Sequence, residues 1–589
     1  MKKVIVGILA AIGVLAILAG FAVVALTLIS VSSSAPVPSR VILELDFENG
    51  VLETIPDDSM AQFMLAGSLQ LRDVIDALDR GAEDRRVVGV LAKINGEPMA
   101  MAQIQEVRDA ILRFRESGKP AIAFSETFGE FGPGNGGYYL ASAFDEVHMQ
   151  PSGDVGLTGL YYETMFMRGA FDKAGLEPRM GQRYEYKNAV NSYTHTSYTE
   201  PHREALSRVL ESRYSQIVTG IAESRGISED DVRNLAERAP LLGVEALEAG
   251  LVDALSYRDE VMDLLRERTH ERARLLFADQ YIERAGRPHA SGTQVALIHG
   301  FGAVTRGPSR YSPVDGSIIM GSDTVTAAFR AAIENDRIKA ILFRVDSPGG
   351  SYVASDTIWR ETIRAREAGK PVIVSMGNLA GSGGYFVAMA ADRIVAQPGT
   401  ITASIGVYGG KMLTNDLWKK LGITHEGVAS NPGAKHWSSH VDYDAAGDER
   451  LEASLDRIYE DFTQKVAEGR GLDIETVRDI ARGRIWTGAD ALEIGLVDEL
   501  GGYEVALEQT RDILGLEPDA PIRLRRYPGE KTPWEALFSP PRESSERAAI
   551  RSLLRSFKSV QPLVRQLREA GLVEQPPGLV LEGASGFDN

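Results

Sequence analysis

The sequence predicts an α/β protein built from two tandem domains of similar structure, placed after one N-terminal transmembrane helix. Three observations carry this reading. The first is an internal duplication. Glu245-Ala-Leu-Glu-Ala-Gly-Leu-Val-Asp253 recurs as Asp490-Ala-Leu-Glu-Ile-Gly-Leu-Val-Asp498, and Arg115-Glu-Ser-Gly-Lys-Pro120 recurs as Arg366-Glu-Ala-Gly-Lys-Pro371. Asn135-Gly-Gly-Tyr-Tyr139 likewise matches Ser382-Gly-Gly-Tyr-Phe386, in the same order and at offsets near 245–251 residues. A period this long means duplicated domains, not the short units of a solenoid. The second is alternation within each copy. Short apolar runs suited to buried strands, Val87 to Ile94 and Ile338 to Val345, each precede a helix-period segment, Ala102 to Arg115 and Ala354 to Arg366. A Gly-Lys-Pro break and a second apolar run follow, at Ala121 to Phe124 and Val372 to Ser375. Strand-helix-strand order implies right-handed crossovers and a largely parallel sheet. The third is the N-terminus. Val4 to Ile29 carries no charge after Lys2 and Lys3. As a helix it would reach roughly 39 Å, enough to span a bilayer with tilt and too long for the apolar core of a cleaved signal peptide.

The expected division is 1–32 for the cytoplasmic N-terminus and signal anchor, 40–285 for the first domain, 294–512 for the second, and 513–589 for a tail. That tail holds a basic amphipathic stretch, Glu546 to Glu569. Long helices are expected late in each copy, at Pro201 to Ser224 and Arg450 to Glu468, with Arg284 to Thr293 as the linker. The lysines ahead of the apolar run place the N-terminus in the cytoplasm and the body outside it.

Composition narrows the chemistry. A chain of 589 residues exceeds one hydrophobic core. A formal net charge of −18 argues against a nucleic-acid binder. The absence of cysteine excludes disulfides, thiolate metal sites and cysteine nucleophiles.

The two copies differ where chemistry would sit. The second has Asp346-Ser-Pro-Gly349-Gly350-Ser351 between a strand and a helix; the first has Asn95-Gly-Glu-Pro98-Met99-Ala100. Paired glycines at such a turn can direct backbone N–H groups outward as an oxyanion hole, made by Gly349 or Gly350. Pro98 has no N–H to offer. The next loop reads Gly381-Ser382-Gly383-Gly384, a serine on a glycine-flanked turn into a helix, as an exposed nucleophile requires. Its first-copy counterpart, Asn135, has no hydroxyl. A general base is then needed. Nine histidines are present, but none shortly follows Ser382, and a lysine can serve instead if burial keeps its amine neutral.

These motifs, with Gly399-Thr-Ile-Thr-Ala-Ser-Ile-Gly406 and Arg183-Tyr-Glu-Tyr-Lys187-Asn-Ala-Val190, resemble the long, duplicated form of the signal peptide peptidase A (protease IV) family, S49-type serine proteases. The resemblance runs from the apolar segment to about Gly502. It implies two crotonase/Clp-protease-like domains and a Ser-Lys dyad, with Ser382 as nucleophile, Lys187 as general base and Ser404 orienting the lysine. It also implies signal peptides as substrates, no cofactor or metal, a homotetrameric ring or dome, and a single-pass place in the inner membrane with the bulk of the chain periplasmic. The repeat offset sets Ala434 opposite Lys187, so each copy lacks what the other keeps. Lys435, one position away, is the alternative base. A non-catalytic scaffold of the same fold and an acyl-CoA enzyme are the competing functions.

Overall fold

A computed structural model describes residues 36–56, 59–65, 67–312 and 316–529. The apolar run Val4 to Ile29 and the stretch Glu546 to Glu569 lie outside the described residues. Among the described residues, no helix is long and apolar enough to cross a membrane.

Each copy folds around its own largely parallel sheet. The first sheet has six strands, in spatial order Ala254–Leu255, Glu146–Met149, Ala121–Ser125, Val87–Lys93, Val41–Asp46 and Arg274–Phe277, all parallel. The second has eight strands and the same central order, Val372–Gly381, Ile338–Ser347, Thr293–Phe301 and Ile522–Tyr527. Its one antiparallel pair joins Ile401–Ala403 to Ile485–Thr487. The central strands are largely apolar because helices cover both faces. Leu342, Phe343 and Val345, for example, are fully buried. The helices expected from periodicity form as Met101–Arg115, Tyr352–Glu367, Glu200–Arg225 and Ala445–Arg470.

One expected boundary is corrected. Strand Ile522–Tyr527 pairs along the whole of Thr293 to Ile298 and closes the edge of the second sheet. The second domain therefore runs to Tyr527, and a tail drawn from 513 cuts through it. Arg274–Phe277 does the same for the first sheet, so the duplication extends to both closing strands.

The halves share a core. Val295, Leu297, Ala340 and Leu342 of the second sheet join one apolar cluster with Ile104, Ile111 and Phe114 of the first half. Across that seam Arg344 is almost wholly buried. It is held by Glu53 at 2.7 Å, Glu106 at 2.8 Å and the Ser375 hydroxyl at 2.7 Å, and its guanidinium lies 4.5 Å from the Tyr503 ring. Two buried carboxylates on one fixed guanidinium tolerate little relative movement, because removing any member strands a charge in a dry place.

A second joint matters more for chemistry. Strand Glu177–Arg183 of the first half pairs antiparallel with Val407–Leu413 of the second, from Val407↔Arg183 to Leu413↔Glu177. Arg183 locks it further, donating to Asp456 at 2.5 Å and Glu452 at 2.8 Å on helix Ala445–Arg470. This ribbon carries the segment around Lys187 into the second half.

Candidate active site

Strand Val372–Gly381 is unusually long because it changes partner. Its first part pairs with Arg393–Ala396 and its last residues with Ile401–Ala403, ending in the register Gly381↔Ala403. Ser382 and Ser404 thus leave neighbouring strands side by side. The Ser382 N–H donates to the Ala403 carbonyl at 2.7 Å. Ser382, Ala403 and Ser404 all have positive φ, at 52°, 64° and 50°. Left-handed backbone is costly for residues with a side chain, and three such residues at two neighbouring strand ends mark a place where the fold imposes geometry. Ser382 directly precedes helix Gly383–Phe386, and its side chain is half-buried.

Lys187 arrives from the other half. Its side chain is 3% exposed. Its Nζ donates to the Ser404 carbonyl at 2.7 Å and to Ser404 Oγ at 2.9 Å, while Ser404 Oγ can donate onward to the Gly483 carbonyl at 3.4 Å. Gly483, with φ of +85°, presses on the lysine backbone: a Cβ there would lie 2.5 Å from the Lys187 nitrogen. The carbonyl of Arg482 accepts from the N–H groups of Tyr184 and Tyr186. Burial, with no carboxylate to offset it, pulls the Lys187 amine down to about 7. A neutral amine has two N–H bonds and one lone pair. Ser404 takes both N–H bonds, which leaves the lone pair for a third group.

The glycine loop needs one correction. Gly349 does not turn its N–H outward; it donates to the Ser347 hydroxyl at 3.1 Å in a buried position. Gly349 instead supplies space, since at φ of +94° a Cβ would lie 2.8 Å from Ser382 Cβ and 2.5 Å from the Gly383 nitrogen. The Gly350 N–H meets no acceptor among the described residues, nor does that of Gly383 at the helix start. Gly350 and Gly383 lie close together beside Ser382: a Cβ on Gly383 would lie 3.0 Å from the Gly350 nitrogen. Sequence reasoning missed Gly383. Its only signal was its place directly after the candidate nucleophile at a helix N-terminus.

Other candidates fall away on burial. Lys435 is exposed on the turn Pro432–Lys435, without the dry surroundings a neutral amine requires. His425 and His440 stack on each other at 3.8 Å, and His436 packs on Trp437 and Tyr443. Among the described residues no cluster of His, Asp or Glu is arranged to hold a metal ion.

The first copy shows the same loops closed on themselves. Asn135 bonds both backbone groups of Gly159, at 2.9 Å each, and the Glu97 carboxylate accepts from the Gly136 N–H at 3.2 Å. A side-chain carboxylate thus takes up the donor of Gly136, the counterpart of Gly383.

The fold, the duplication and the relatives of this chain define a serine protease. The profile of Peptidase family S49 matches it twice, over residues 113–271 and 364–517, once in each copy. The chain belongs to peptidase family S49, in its long duplicated form. It is 30% identical over 466 residues to Protease 4 of Salmonella typhi, covering 76% of this chain and 72% of that protein. It is 28% identical over 467 residues to Protease 4 of Haemophilus influenzae, covering 77% and 74%. With the chloroplastic serine protease SPPA of Arabidopsis thaliana it shares 32% over 447 residues, 74% of this chain but just under two thirds, 65%, of that protein.

Proposed function

We propose that this chain is a membrane-anchored endopeptidase that degrades cleaved signal peptides through a Ser382–Lys187 dyad and an acyl-enzyme. The observation that carries the reading is the buried Lys187 amine, held by Ser404 next to the strand end that bears Ser382. In this mechanism the amine lone pair takes the Ser382 hydroxyl proton as Oγ attacks the scissile carbonyl carbon. The N–H groups of Gly350 and Gly383 stabilise the developing oxyanion. The C–N bond then breaks, and the lysine returns its proton to the leaving amine. Water, deprotonated by the same lysine, releases the acyl group and regenerates Ser382. Ser404 is the positioning residue that fixes the amine.

A fluorophosphonate probe tests this against both the scaffold and the acyl-CoA readings. The full chain should be labelled covalently, and Ser382→Ala should not be. Absence of labelling in the wild type at pH 8 to 9 would sink the proposal.

Membrane anchoring rests on Val4 to Ile29 and Lys2-Lys3. Assembly as a homotetramer has support of its own. At the repeat offset, the ribbon between Glu177–Arg183 and Val407–Leu413 has a counterpart in 424–430 and 160–166. Neither segment belongs to a strand, and Tyr161, Met165 and Val428 stand exposed on them. The same joint, formed from chain to chain, would build a closed ring. The detergent-extracted protein should scatter light at the mass of four chains, and a reporter fused after Asn589 should be active only outside the cytoplasm; a monomer, or a cytoplasmic reporter, contradicts the respective point.

A further inference from the structure

The segment Arg482-Gly483-Arg484 is where the second half grips the lysine segment of the first. Its backbone makes part of the joint. The Arg482 carbonyl accepts from the N–H groups of Tyr184 and Tyr186, at 3.0 and 3.2 Å, and the Arg484 carbonyl accepts from the Ser404 N–H at 2.9 Å. Arg482 has a φ of 55° and is followed by Gly483 at 85°. A non-glycine residue in left-handed backbone is costly, and such outliers collect where a site needs them.

The Arg484 side chain makes the rest. Its guanidinium lies 4.5 Å from the centre of the Trp486 ring and 4.9 Å from that of Tyr186. It pairs at 2.8 Å with Glu204 on helix Glu200–Arg225, and the same carboxylate accepts from the Tyr186 hydroxyl at 2.5 Å. Trp486 belongs to strand Ile485–Thr487 and stands opposite Thr402, two residues before Ser404. Tyr186 directly precedes Lys187. One residue thus reaches both partners of the base: its carbonyl holds Ser404, and its side chain holds the neighbour of Lys187. Glu204 is 51% exposed, so the ion pair alone contributes little. A planar guanidinium against two rings is a contact that other side chains do not copy.

Charge does not set the state of the lysine. Burial alone pulls its amine down to about 7. The charged groups on the adjoining segments are paired with each other: Glu185 with Arg482, Glu204 with Arg484, and Arg183 with Glu452 and Asp456. Dryness therefore makes the amine a base, and dryness depends on how firmly the lysine segment is shut.

We propose that Arg484 is a positioning residue for the general base, holding Tyr186 in place so that Lys187 stays seated on Ser404 and out of water. The inference rests on the Ser382–Lys187 reading and adds to it the side chain that keeps the site closed.

The test is covalent labelling of the full chain in detergent by a fluorophosphonate, followed as the limiting rate at saturating probe from about pH 6 to 10. Arg484→Met keeps an apolar stem and removes the charged face. Its limb is expected about one pH unit above that of the wild type, because a wetter lysine holds its proton longer. Labelling at pH 7 should then fall about fivefold and the deficit should close by about pH 9, with the half-saturating probe concentration unchanged. Tyr186→Leu removes the ring from the other side of the joint and should move the limb the same way, which covers a failure of Arg484→Met to fold. A limb that stays in place in the folded variants, or a loss by the same factor at every pH, overturns the proposal while Lys187→Ala remains unlabelled. Labelling of Lys187→Ala at the wild-type rate overturns the dyad itself.

Discussion

Lys187→Ala should abolish peptide hydrolysis, while Lys435→Ala should leave it near wild type. The two lysines are close to equivalent in the repeat alignment, but only Lys187 is buried and bonded to Ser404. Lys187→Arg should not rescue, because a guanidinium stays protonated and has no lone pair to accept a proton. Activity should rise with pH along a limb centred near 7, since burial pulls the amine down to about 7 and only its neutral form is a base. Asp346 complicates that profile, because burial pushes its carboxyl up to about 7 as well. Asp346→Asn should therefore retain the limb if the amine sets it. Stability carries an independent sign. Unfolded, the lysine binds a proton up to about 10.4; folded, it gives the proton up near 7. The unfolded state holds more protons between those values, so stability from this site rises with pH across that window. Lys187→Met should melt higher than wild type at pH 7, with the gap closing towards pH 10. An active Lys187→Ala enzyme, or a dead Lys435→Ala enzyme with Lys187→Ala intact, would place the base elsewhere.

Ser382→Ala should lose activity as completely as Lys187→Ala, since members of a dyad act as a unit. The loss should come without unfolding. The Ser382 backbone N–H still reaches the Ala403 carbonyl, and the side chain is only half-buried. Its positive φ is retained with alanine, so a shift of the thermal midpoint by more than a few degrees is not expected. Turnover of a peptide substrate with unchanged kcat in this variant would refute the assignment of the nucleophile.

What the sequence made legible follows from where its signals are local. The sheets and long helices were readable because apolar runs and helical periodicity repeat at one offset. Ser382 stood out because Asn135 occupies its place in the other copy. The edge strand Ile522–Tyr527 escaped because Ile-Arg-Leu-Arg-Arg-Tyr reads as polar, as an edge strand with one open side does. The direction of the Gly349 N–H was not readable either, because it depends on φ and on the Ser347 hydroxyl beneath it. Nor could spacing pair Lys187 with Ser404 across 217 residues. That contact exists only once strands Glu177–Arg183 and Val407–Leu413 have met, and resemblance alone anticipated it.

The ribbon formed by those two strands also bears on when the chain becomes a protease. A ribosome delivers Lys187 long before Ser382, Ser404 and Gly483. Until those residues arrive, nothing dries the lysine, and its amine stays protonated like any surface lysine. The first half alone has Asn135 in place of a nucleophile and its own Glu97 on the Gly136 N–H. On the proposed Ser382–Lys187 dyad, catalytic competence would come into being with the closing of one intramolecular joint, late in synthesis. A chain truncated before Leu413 should then be inert.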